Sequence, residues 1–124
     1  MSRVVHFEIF ADNPEEMVNF YETVFHWQIS NWGGQPYWLA NTGPEDEAGI
    51  HGAIAPRGTD DRDFGRVVNT IAVPDLDDYL RRVTAAGGSV VQPKNPIPGV
   101  GWLAYCRDPE GTVFGMMQND PGAM

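Results

Sequence analysis

Val4-Val5-His6-Phe7-Glu8-Ile9-Phe10-Ala11, followed by Asp12-Asn13-Pro14-Glu15-Glu16-Met17, reads as a strand that turns straight into a helix, and Val67-Val68-Asn69-Thr70-Ile71-Ala72-Val73, followed by Pro74-Asp75-Leu76-Asp77-Asp78, reads as the same junction a second time. Strand side chains alternate, so Val5, Phe7 and Ile9 share one face and His6, Glu8 and Phe10 the other. Asn13 stands at a helix N-cap, Pro14 at the first helical position and Glu16 at capping-box spacing. Met17, Phe20, Tyr21 and Val24 then make an apolar stripe of helical period. In the second junction Asp75 is the cap and Asp78 takes the box position. Leu76, Tyr79, Leu80 and Val83 form the stripe, and Gly87-Gly88 ends it.

Working outward, each helix is followed by three short strand signals. In the first half they are Gln28–Asn31, Tyr37–Asn41 and Ile50–Ala55, separated by the turn-forming stretches Asn31–Pro36 and Gly43–Gly49. In the second half they lie near Ser89–Gln92, Trp102–Cys106 and Thr112–Gln118, with Asp108-Pro109-Glu110-Gly111 as the turn before the last. The order is βαβββ twice. Module one covers about 4–55, a charged linker 56–65, and module two about 66–118. Overlaid, His6 falls on Val68, Ile50–Ile54 on Val113–Met117, and Tyr37–Ala40 on Trp102–Tyr105. The expected fold is α+β: two tandem βαβββ modules forming a curved eight-stranded open barrel, with the helices outside and a cup within.

Composition narrows the function. The chain has 124 residues, 42% hydrophobic and 20% charged, as expected for one soluble domain with a proper core. A net charge of −9 repels phosphate backbones and speaks against a nucleic-acid partner. No apolar run approaches a membrane span, and Met1–His6 lacks the apolar segment of a secretion signal. Cys106 is the only cysteine and sits in the apolar stretch Trp102–Cys106, which fits an inert buried thiol in a reducing cytoplasm. There is no phosphate loop, dinucleotide fingerprint or nucleophile elbow.

The opening strand with His6, the helix segment Phe20-Tyr21-Glu22-Thr23-Val24-Phe25-His26-Trp27, and the closing Asp108-Pro109-Glu110-Gly111-Thr112-Val113-Phe114-Gly115 together resemble the vicinal oxygen chelate superfamily, which includes glyoxalase I, the bleomycin-resistance proteins and the extradiol dioxygenases. His26 stands where such proteins commonly carry a helix-ending glycine. Pro96–Trp102 resembles a subgroup of glyoxalase-related proteins of unassigned activity. The resemblance implies one divalent ion held by four cup-facing side chains, from the first and fourth strand of each module. The corresponding positions here are His6, which can ligate, and Val68, Gly52 and Gly115, which cannot. A one-residue slip of the fourth strand would offer His51 instead of Gly52. Alternation sends His51 to the opposite face if Gly52 faces the cup.

Three functional readings follow. One is a binder of a small organic molecule without the family's metal. Another is a lyase, isomerase or dioxygenase of the glyoxalase type, using His6 with or without a divalent ion. The last is an accessory protein with a vestigial cup. No cofactor is expected, and a divalent metal is disfavoured. The expected cup lining is His6, Glu8, Ile54, Thr70 and Met117, with Trp32 and Trp102 beside glycine-rich loops as rim, and Trp27 and Trp38 in the core. His6 and Glu8 share a face and are the candidate acid–base pair. The expected partners are a small-molecule ligand and a second copy of the chain, as in similar proteins.

Overall fold

The computed structural model describes residues 2–124. Its elements are β1 (Val4–Ala11), α1 (Pro14–Phe25), β2 (Gln28–Asn31), β3 (Trp38–Asn41), β4 (His51–Pro56), a 3-10 turn at Asp60–Arg62, β5 (Val67–Ala72), α2 (Leu76–Ala85), β6 (Ser89–Ile97), β7 (Gly101–Arg107) and β8 (Val113–Asn119). This is the expected βαβββ order, twice. The chain divides into two compact units, one of His6–Val68 and one of residues 69–124 with residues 2–5. None of the helices is long and apolar enough to cross a membrane, among the described residues.

In the first unit the strand order is β2-β3-β4-β1, with β1 and β4 parallel and the other pairs antiparallel. Asn13 Oδ1 accepts the Glu16 N–H at 3.2 Å, which satisfies one of the donors orphaned at a helix start. The helix ends at His26, whose φ of 60° and ψ of 30° are left-handed and whose N–H is donated to Glu22 O. A histidine there in place of glycine costs about 1–2 kcal/mol.

The second unit repeats the pattern as β5-β8-β7-β6, with β5 and β8 parallel. Asp75 Oδ1 accepts the Asp78 N–H at 3.2 Å, and Gln118 Oε1 accepts the Leu76 N–H at 2.8 Å, so both cap and neighbouring strand hold the start of α2. Ala72 N–H is donated to Arg3 O, which is how the N-terminal residues join this unit. β6 runs on to Ile97, well beyond the expected Gln92, although it contains Pro93 and Pro96. It is an end strand with two register shifts against β7, where a missing N–H is tolerated.

The two units organise their sheet faces differently. Under α2 lies an aliphatic core of Val73, Leu76, Ala104, Cys106 and Met116, with Ile71, Tyr79, Leu80, Val83, Trp102 and Phe114 packed around it. Under α1 the filling is aromatic. Tyr21 stacks on Trp27 at 4.8 Å between ring centroids, and Trp27 meets Phe7 at 5.7 Å. Phe7 lies opposite Gly52 in the parallel β1–β4 pair, and a Cβ on Gly52 would run into its ring. Gly52 is therefore the gap that the Phe7 ring occupies beneath α1. Gly52→Ala is expected to destabilise the protein by about 1–3 kcal/mol in urea denaturation, as overpacking does. Phe7→Leu in the same chain should recover part of that loss. An unchanged midpoint in Gly52→Ala would mean that the ring does not rest on this glycine.

Candidate functional site

With Phe7 and Gly52 beneath α1, alternation turns His6, Glu8, His51 and Ala53 to the opposite face of the first sheet. His6 and His51 are direct partners across the parallel pair. The expectation that Gly52 holds the fourth-strand position on the ligand face is thus corrected: His51 shares the face of His6. The two glycines that the overlay of the modules matched, Gly52 and Gly115, do not point alike. A Cβ on Gly115 would meet Thr70 and Tyr105, away from α2, whereas one on Gly52 would meet Phe7, beneath α1.

A hydrogen-bonded chain occupies this face. Tyr37 donates its hydroxyl proton to Glu8 Oε2 at 2.7 Å. The same hydroxyl lies 3.1 Å from His6 Nε2. Tyrosine has one proton and it goes to Glu8, so His6 must donate from Nε2 and carry its lone pair on Nδ1. Nδ1 has no protein partner among the described residues. Glu8 is only 5% exposed, so its carboxylate is oriented by the protein rather than by solvent. Burial lowers the pKa of His6 below its ordinary value, Glu8 pulls it back up, and His51 lowers it further. The base at this position is therefore neutral at physiological pH.

His51 is tied down at both ring nitrogens. The Thr42 N–H is donated to its Nδ1 at 3.1 Å, which leaves Nε2–H to donate to Glu45 Oε1 at 2.9 Å. Trp32, half exposed, sets its ring edge-on to Tyr37 with centroids 5.8 Å apart, beside the expected rim.

In module two Thr70 and Gly115 are partners on the face away from α2, and alternation adds Val68 and Met117 to it. Thr70 is 3% exposed. Two expected contacts are corrected. Ile54 shares the parity of Gly52, lies opposite Ile9 and is fully buried on the α1 side of the sheet. Trp102 packs against the core beneath α2, with Lys94 over its ring at 4.9 Å and its indole N–H donated to Asp120 Oδ2 at 3.0 Å. Strand parity, set by the helices, decides both cases. Sequence reading missed Tyr37 as a site residue, because its meeting with His6 and Glu8 depends on how the third strand is laid down.

The donors do not suit the ion that the resemblance implies. Among the described residues no three His, Cys, Asp or Glu side chains are placed to share a metal. His51 has both nitrogens engaged, and Val68 and Gly115 have no lone pair to offer.

Comparison with known proteins agrees with the fold. The model of the Glyoxalase/Bleomycin resistance protein/Dioxygenase superfamily matches residues 3–116. A protein of Mycobacterium tuberculosis with the provisional name glyoxylase CFP32 is 30% identical over 117 residues, covering 92% of this chain; the chain spans 43% of that relative's length. Among solved structures, a variant of Streptomyces coelicolor methylmalonyl-CoA epimerase in complex with 2-nitronate-propionyl-CoA superposes with a TM-score of 0.65 at 13% identity, over 100% of this chain and 99% of the other. A hypothetical protein of Bacillus halodurans gives 0.64 at 12%, over 99% and 98%. At such identities these structures show the fold alone, two βαβββ modules. The chain belongs to the Glyoxalase/Bleomycin resistance protein/Dioxygenase superfamily.

Proposed function

We propose that this domain holds a small organic molecule against the His6–Tyr37–Glu8 face and does so without the family's metal. The relay carries the reading. Three polar side chains, two from strand β1 and one from the loop end before β3, converge on the face turned away from the helix, and one lone pair, on His6 Nδ1, is left open to a ligand. The epimerase neighbour binds an acyl-thioester analogue, so small oxo acids and acyl thioesters are the classes to screen first.

A second reading, catalysis, is favoured by the direction of the relay. Nδ1 can accept a proton from a carbon acid beside a carbonyl. The imidazolium so formed keeps its Nε2–H bond to Tyr37, whose own proton stays bonded to Glu8. The positive charge is thereby stabilised without leaving the histidine. Return of that proton to either face of the carbanion completes an isomerisation, with no other reactant needed. The protein is also proposed to work in a reducing cytoplasm and to pair as a homodimer through an open sheet edge; a monomer mass by light scattering would count against the pairing.

In a thermal-shift screen, at least one oxo acid or thioester should raise the Tm of the wild type and leave His6→Gln and Tyr37→Phe unchanged. Equal responses from all three proteins would overturn the reading. For the catalytic version, solvent deuterium should enter the ligand's acidic carbon, and His6→Gln should slow this by about 100-fold or more. Its rate should climb with pH and level off above a midpoint below 6.5, since only the neutral imidazole is a base and its pKa lies under that value. Stability follows the same direction. The unfolded chain binds the proton more readily, so the His6 contribution is complete above 6.5 and is lost as pH falls through the lowered folded pKa. Protein prepared without chelator should carry nickel, zinc, iron and manganese well below one ion per chain. A full equivalent that disappears in His6→Ala would restore the metal-dependent reading.

A further inference from the structure

The two helices differ on their outer sides. α2 ends its apolar residues against its own sheet and turns charge outward, with Arg82 paired to Asp78 at 2.9 Å. No α2 residue is among the exposed large hydrophobics. α1 has no fully buried residue, and it leaves Phe20 52%, Val24 50% and Phe25 56% exposed. Phe20 and Val24 stand one turn apart and line a shallow groove of about 360 Å³ with Glu16, Met17, Asn19 and Thr23. Both side chains are already half buried, and a partner that covered them would take the rest of their apolar surface out of water. A single exposed apolar residue needs no explanation, but a contiguous groove does.

Charge selects the occupant. α1 carries Glu15, Glu16 and Glu22 and no Lys or Arg. The nearby cation Arg66 is already paired with Asp12. Glu16, Phe20 and Val24 form one line along the helix at steps of four. If two copies of α1 met antiparallel about Phe20, each Val24 would face a Glu16 carboxylate. If they met parallel, Glu16 would face Glu16. Either arrangement strands a carboxylate against apolar surface or a like charge, in a chain of net charge −9. A helix with the opposite pattern, apolar at i and i+4 and basic one turn further on, satisfies all three positions when it runs antiparallel.

We propose that the outer face of α1 is a docking surface for a basic amphipathic helix of another protein, whose apolar side chains seat on Phe20 and Val24 and whose Lys or Arg residues meet Glu15 and Glu16. This face belongs to the helix and is separate from the His6 face, so each can fail without the other. The probe is a synthetic helical peptide with Leu at i and i+4 and Lys at i+7 and i+8, titrated into the ¹⁵N-labelled full chain, with a control bearing Glu in place of Lys. Amide shifts should be confined to α1, the control peptide should not bind, and added salt should weaken the complex. Phe20→Ser with Val24→Ser should weaken it about tenfold or more, and Glu16→Gln about threefold. Both sites are half exposed, so the variants should keep the wild-type circular dichroism. Shifts scattered over other acidic surface would overturn the proposal, as would equal binding by the double variant. So would a wild-type dimer that the double variant dissolves, since the occupant would then be a second copy.

Discussion

The seating of the Phe7 ring in the space left by Gly52 governs the first unit. A parallel strand pair can be laid down in two face senses, and a one-residue slip would exchange them. Only one sense puts the ring of Phe7 beneath α1, against Trp27 and Tyr21. Any side chain at position 52 would close that space. Once Phe7 faces in, His6 and Glu8 face out, and their strand partners His51 and Ala53 go with them. The polar chemistry of the unit is thus set by an apolar fit on the far side of the same strands.

The first strand was legible because its alternation is strong and an apolar stripe of helical period follows it, although of that stripe Tyr21 packs on Trp27 while Phe20 and Val24 are left half exposed. The caps at Asn13 and Asp75 were legible for the same local reason, and so was the exceptional helix end at His26. The fourth strands were not. Glycine has no side chain to declare a face, so Gly52 and Gly115 look alike in sequence and lie on opposite sides relative to their helices. Ile54 was misplaced with Gly52, since the two share parity. Trp102 could have been placed correctly: it is four residues from Cys106 along one strand, and the same sequence reading had that cysteine buried. Its glycine-rich flank suggested a rim instead. Tyr37 lies just ahead of its strand, and nothing local brings residue 37 to residue 6.

The modules share an architecture and differ in the side chains that they carry. In the first, the face away from the helix carries two imidazoles, a buried carboxylate and a phenol. In the second, the corresponding face offers Val68, Gly115 and Met117 with the hydroxyls of Thr70 and Tyr105. The resemblance implies ligands from both modules, and here the imidazoles and the carboxylate on these faces lie in the first. These groups are bonded within the first module: His51 to Thr42 and Glu45, and His6 through Tyr37 to Glu8. A polar network of this kind resists being pulled apart, because each group would be left unsatisfied in a partly dry place.

The prolines of β6 bear on how the molecule behaves in a crowd. Every sheet end is a template on which a further strand can grow, and a protein with two such ends can add copies without limit. Pro93 and Pro96 remove donors from one of them, and the register shifts beside them bend it out of line. An edge so interrupted is a poor template for a further strand, where an unbroken one would be a seed for fibres.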